Sequence, residues 1–510
     1  MSDVRTPAEP AVLPSRGEYP LGVSRPPLKV ADLPSPEEVF GVADLGRKEV
    51  VKFVLGPSLI ALGISIGSGE WLLGPLNVGT LGFVGVGIII TISALLQVFY
   101  NIEFSRYVLA TGEVPVVGFA RVPPGTVFWV PFSLLVLFFA FIWGGWAKAA
   151  AAGLFALLNG RVPGDADTTT VTLLALVLLG AVFVITVLSR KVTRGLELAN
   201  LTFIAIQLLF LLVIDLLFVP LSVWWDGLRG LVTPALPPEG TDATLIGGLV
   251  GFTALASGLN WYVMNHYRDK GYAMGYRVGF ISGLRGEQKE VAGVGMTFPD
   301  DEKNAVLWKR WMGFLKLDIW VVFFGGAMIG MFLPTILMRQ LVLSSGREPT
   351  EANIPTFAAN ILGQQEGRAF FYIALFVGFL ILFDTQLGIF EALVRNMTDS
   401  LNMSAGFHRL VRGDPRRFYY PFMIVLLVVI GIFLQFFQDA ATLISISANM
   451  SNFGALMFPF VLMYLNSKLP RVARPSPWAY FVLVLNFLFF GFFFVNFVFD
   501  TFFGGPLVQF

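Results

Sequence analysis

Residues 63–75 read GISIGSGEWLLGP, inside an apolar run long enough to cross a bilayer. Gly67, Gly69 and Pro75 interrupt a helix there, and Glu70 places a carboxyl at its middle. On insertion scales a carboxylate at the centre of a lipid-facing helix costs roughly 2.5–3.5 kcal/mol. Glu70 is therefore expected to face the interior of a bundle, as a solute ligand, a proton carrier or half of an ion pair. The bland alternative is a structural carboxylate capping the second half-helix.

The rest of the chain supports a membrane setting. Charged residues make up 14% of the 510, against about 25% in soluble domains, and there are 51 phenylalanines. The absence of cysteine excludes disulfides and thiolate metal sites, and two histidines argue against a histidine-rich one. Neither a phosphate-cradling lysine motif nor a nucleophile elbow appears, so no enzyme, cofactor or nucleic-acid partner is expected. Residues 1–50 are rich in proline and charge and form a tail rather than a secretory signal.

Apolar length predicts an all-α polytopic protein of about eleven spans, near 52–77, 80–111, 127–159, 170–189, 196–220, 244–267, 308–337, 367–394, 418–437, 440–467 and 477–503. Lysine and arginine concentrate in alternate connections, most densely over 268–306, which puts the N-terminus in the cytoplasm and the C-terminus outside. The first span is broken by GSGE and the sixth by ASGLN at 256–260. With five spans per unit (51–220 and 244–467), these breaks occupy corresponding positions of two inverted halves, and 477–510 is an extra helix. Interrupted helices so placed are the sequence pointer to a transporter's solute site at mid-membrane. Unwound backbone is tolerated at that depth only where protein or a wet cavity satisfies it.

Other polar groups lie within spans. Lys148, in FIWGGWAKAAAAG, is the natural partner of Glu70, or else it snorkels to a water-filled vestibule. Asp384, Thr385 and Gln386 offer hard oxygen donors of the kind that Na⁺ or a proton relay uses, or else structural hydrogen bonds. Asp318 is read as solvated at the cytoplasmic end. Ser447, Asn449, Ser451 and Asn452 either line a cavity or bond across helices, with the cavity favoured.

GPSLIALGISIGSGEWLLGPLNVGTLGF, YNIEFSRYVLATGE (100–113), RGLELANL (194–201) and MFPFVLMYLNSKL (457–469) together resemble the Nramp divalent-metal transporter family, in order, over spans 1 to 10. The resemblance implies a LeuT-like 5+5 inverted repeat with discontinuous helices 1 and 6. Where that family has D-P-G-N, this chain has Gly67-Ser68-Gly69-Glu70. The family's M-P-H-N falls on Ser257-Gly258-Leu259-Asn260, its acidic residues of helix 3 on Gly145 and Lys148, and its glutamine of helix 10 near Ser451. Ile64 and Ala254 would supply backbone carbonyls. The implied solute site is thus Ile64, Gly67, Glu70, Ala254, Ser257, Asn260 and Ser451, with Glu70 its metal ligand. Glu70, Lys148, Asp384 and Thr385 are candidates for coupling to H⁺ or Na⁺. Loss of the thioether removes selection for softer metals, and an oxygen-only set suits hard cations. The expected activity is secondary active transport of a metal cation, a divalent one, by alternating access. The alternative is symport of an amino acid or small organic amine on the same fold.

Overall fold

The computed structural model describes residues 29–33, 35, 57–188, 192–255, 258–275, 295–402, 404–412, 414–436 and 439–510. Most of the proline-rich tail, much of the basic connection after the sixth span, and Ser257 lie outside the described residues.

Helical segments occupy all eleven expected places. Helix 1 is composite, with Pro57–Ser65, Ile66–Leu73 and Gly74–Leu81. Helix 2 is Val86–Thr111, and helix 3 is split into Thr126–Phe141 and Gly145–Asn159. Helix 4 is Thr168–Leu188 and helix 5 Val192–Phe218. Helix 6 is Ala243–Phe252 and Leu259–Asp269. Helix 7 runs as Glu302–Leu317, Asp318–Phe324 and Gly325–Ser345. Helices 8 to 11 are Arg368–Leu401, Arg416–Phe436, Ala440–Ser467 and Pro477–Phe503. Among the described residues, eight helices are long and apolar enough to cross a membrane. The phenylalanine-rich helix 11 packs chiefly on helix 10 and the first half of helix 6.

Helix 6 breaks as its sequence predicts. Winding stops at Phe252, Ala254 sits in the left-handed region at φ 68°, and Gly258 restarts the helix at φ 103°. A side chain is rarely found at positive φ, so Ala254 is held there by its surroundings.

The discontinuity of helix 1 takes a different form from the expected unwound backbone. Residues Ile66–Leu73 make a π-helical segment between two α-helical ones, closed by Gly74 N–H donating to the Gly69 carbonyl five residues back. A widened turn leaves α-helical register without stranding carbonyls in an apolar interior, which unwinding would do. Helix 7 carries a second π segment at Asp318–Phe324. Helix 3 has an interruption that the sequence reading did not anticipate. Gly144, at φ 69°, starts its second half, and the Gly144-Gly145 pair was the available signal.

Candidate functional site

Helix 1 is gripped on three sides. On helix 7, Gly326 makes room for Leu62, and Gly330 for Ile66 and the stem of Glu70. These glycines lie four apart, as do Leu62, Ile66 and Glu70, so one row of side chains drops into a groove without Cβ atoms. On helix 8, Gly388 receives Ile64, and a Cβ on Gly67 would overlap the Thr385 hydroxyl. On helix 6, a Cβ on Gly69 would stand 2.3 Å from the Phe252 carbonyl oxygen, the last residue before the break. The glycines of GSGE thus serve close approach.

That approach delivers Glu70 to the break. Its carboxylate is fully buried, and Oε1 accepts the Ala254 backbone N–H at 3.2 Å. Oε2 forms no hydrogen bond among the described residues. Within the break, the Thr253 hydroxyl donates to the Leu249 carbonyl, and Leu255 N–H donates to the Thr253 carbonyl. Past it, the Asn396 amide on helix 8 donates to the Gly258 carbonyl at 3.2 Å. Trp146 packs against Phe252 with ring centroids 5.7 Å apart, walling the site from helix 3. The arrangement offers one buried carboxylate with an open oxygen beside irregular backbone. Among the described residues, no three His, Asp or Glu side chains gather as a metal centre would.

The other sequence candidates divide. The Thr385 hydroxyl meets the Gly63 and Ile64 carbonyls of helix 1 at 3.3 and 3.2 Å, next to buried Asp384. Gln386 accepts the Ala147 N–H at the start of the second half of helix 3. Lys148 faces elsewhere. Its Nζ donates to the Leu434 carbonyl on helix 9 at 3.2 Å, and among the described residues no ion pair joins it to Glu70.

Asn260 turns to helix 2, where its amide donates to Gln97 at 3.3 Å and, in a short contact, to Asn101, so it does not reach Glu70. The Ser451 hydroxyl folds back to the Ser447 carbonyl of its own helix. The polar run on helix 10 bonds across helices. Asn449 and Asn452 donate to the Thr244 and Gly247 carbonyls of helix 6, and Ser447 to Ala140 of helix 3. The favoured cavity gives way because the Gly247 and Gly251 face of helix 6 is packed directly on it.

Three polar groupings escaped the sequence reading. Helix 2 carries Ser93, Gln97, Asn101 and Ser105 at intervals of four, meeting Val250, Asn260 and Met264 on both halves of helix 6. That spacing was visible as one helical face. Asp318 is buried rather than solvated. Its Oδ2 accepts from Ser58 of helix 1 at 2.8 Å and from Tyr267 of helix 6 at 2.5 Å. Third, Arg268 binds Asp269 and Asp399, while Arg395 binds Asp269 and Asp399, all buried between helices 6 and 8. The four-residue interval of Glu391, Arg395 and Asp399 was the only hint.

The chain matches no protein-family model and no curated protein. Solved structures do match. A crystal structure of the Eremococcus coleocola manganese transporter, in complex with an aromatic bis-isothiourea substituted compound, superposes with a TM-score of 0.57. The match covers 95% of this chain and 93% of that one at 14% identity. MhsT in complex with L-phenylalanine superposes with a TM-score of 0.50, over 89% of this chain and all of that one, at 13% identity. The chain has the LeuT fold. At such identity the likeness concerns architecture. In this LeuT-fold chain, the interrupted helices 1 and 6 meet through Glu70 and Ala254.

Proposed function

We propose that the chain is a secondary transporter that carries a small cation across the membrane by alternating access. Its solute is held between the π segment of helix 1 and the break in helix 6. The observation that carries this reading is Glu70, a buried carboxylate whose Oε2 is open beside the Ala254 break. A carboxylate kept in an apolar interior without a cationic side chain is stabilised by a cation that arrives and leaves. Ile64, Gly67 and Ala254 belong to the same region of backbone, Ser257 is assigned to the site from its sequence position alone, and Asn260 and Ser451 are assigned supporting roles through helices 2 and 10. The Thr385–Ile64 contact and Asp384 are the favoured place for the coupling ion, H⁺ or Na⁺, with Lys148 removed to the helix 9 side.

The units 51–220 and 244–467 are proposed as the inverted repeats, with the N-terminus cytoplasmic and the C-terminus outside. A metal cation, including a divalent one, is the first reading, supported by the fold shared with a manganese transporter. A small organic amine or amino acid is the second. It is favoured by the single carboxylate and the lack, among the described residues, of an acidic cluster. Thermal unfolding of the purified chain with Mg²⁺, Mn²⁺, methylammonium and amino acids separates them. Stabilisation by a cation, lost in Glu70→Gln, is expected. Stabilisation that persists unchanged in Glu70→Gln would refute the site.

A further inference from the structure

Helices 6 and 8 face each other beyond the break through two polar stripes, with residues three or four apart. Tyr262 and His266 lead to Asp269 on one, and Glu391 and Arg395 lead to Asp399 on the other. Both guanidiniums are committed, since Arg268 and Arg395 each bind Asp269 and Asp399. Three carboxylates therefore face two cations, and Glu391 is the one left over. Lys270, only half buried, acts electrostatically on Asp318 and on His266.

Glu391 is 1% exposed, and its Oε1 accepts the Tyr419 hydroxyl of helix 9 at 3.0 Å. The Tyr262 hydroxyl lies beside it. Yet neither that hydroxyl, nor Glu391 Oε2, nor His266 Nε2 makes a hydrogen bond of regular geometry among the described residues. His266 is buried edge-on against Tyr262, with ring centroids 4.4 Å apart. Glu391 lies within electrostatic reach of Arg395, but that guanidinium is already shared by Asp269 and Asp399, so a third carboxylate in the cluster leaves a buried negative charge over, which is costly away from water.

We infer that Glu391 is a proton-binding site, separate from the solute site, that is loaded while helices 6 and 8 are closed on each other. One proton from water adds to Oε2, cancels the surplus charge and makes that oxygen a donor towards the Tyr262 hydroxyl. When the two stripes part and water enters, the carboxyl ionises and the proton returns to water. Asn396, on the neighbouring turn of helix 8, accepts from Asn265 and donates to Gly258 at the break. Parting of helices 6 and 8 would therefore disturb both Glu391 and the backbone at the break. The inference rests on the transporter reading for its purpose, but its test needs no solute.

Infrared difference spectra of the full chain in lipid nanodiscs, in light and heavy water, report protonated buried carboxyls through their C=O stretch. Glu391→Gln is expected to lose one such band, and Tyr419→Phe to keep that band but shift it. Should Glu391→Gln retain every buried-carboxyl band, or Tyr419→Phe leave the spectrum unmoved, the assignment falls. Tyr419→Phe decides alone if the Glu391 variant does not fold. Failure of the solute site would instead appear as normal binding by Glu70→Gln.

Discussion

Gly69 sets how closely helix 1 approaches the broken helix, because the Phe252 carbonyl occupies the space a side chain would need. Gly69→Ala is expected to force the two helices apart and destabilise the protein by about 1–3 kcal/mol, the usual penalty of overpacking. Gly180, on helix 4, has no heavy atom within 4 Å of an added Cβ, so Gly180→Ala is the matched control. It should be neutral or gain a few tenths to about 1 kcal/mol, since alanine favours a helix over glycine. Thermal unfolding of both variants in detergent checks the contrast. Equal behaviour would mean that the contact at Gly69 does not hold the site together.

Between elements, buried charge and hydroxyl pairs fasten the end of the bundle nearest Ser58. Removing one partner of a buried ion pair costs roughly 3–5 kcal/mol, because the remaining charges stay buried. Arg395→Ala strands Asp269 and Asp399 and should lower the unfolding temperature far more than Arg161→Ala, whose partner Asp167 is on the surface. The Ser58–Tyr267–Asp318 contact joins helices 1, 6 and 7 in the same region. Since the chain has no cysteine, Ser65→Cys gives a single thiol, buried one turn below Glu70. Adding Asp318→Asn is expected to raise its rate of labelling by a water-soluble thiol reagent several-fold. An unchanged rate would show that this contact does not close the path.

The two interruptions show what a sequence can and cannot display at this scale. Gly258 and its neighbours marked the helix 6 break because a positive φ needs glycine. In helix 1 the same residue type marked close packing instead, and the π turn depended on Phe252 and Thr385, which are distant in sequence. Asn260 and Ser451 were legible as buried polar residues, but which way each faced was set by Asn101 and Ser447.

At the scale of the whole molecule, eleven apolar segments pointed to a polytopic helical protein, and the resemblance of four stretches to a known transporter family indicated the LeuT fold that the solved structures share. The cargo was not legible, because a single carboxylate serves metal ions and amines alike. Glu70 nevertheless makes the account testable through one measurement. Proteoliposomes containing the native chain or Glu70→Gln, both verified as folded, are assayed for uptake of whichever probe cation stabilises the native protein. The account predicts accumulation with the native chain and none above empty liposomes with Glu70→Gln. Uptake by the variant at the native rate would contradict it.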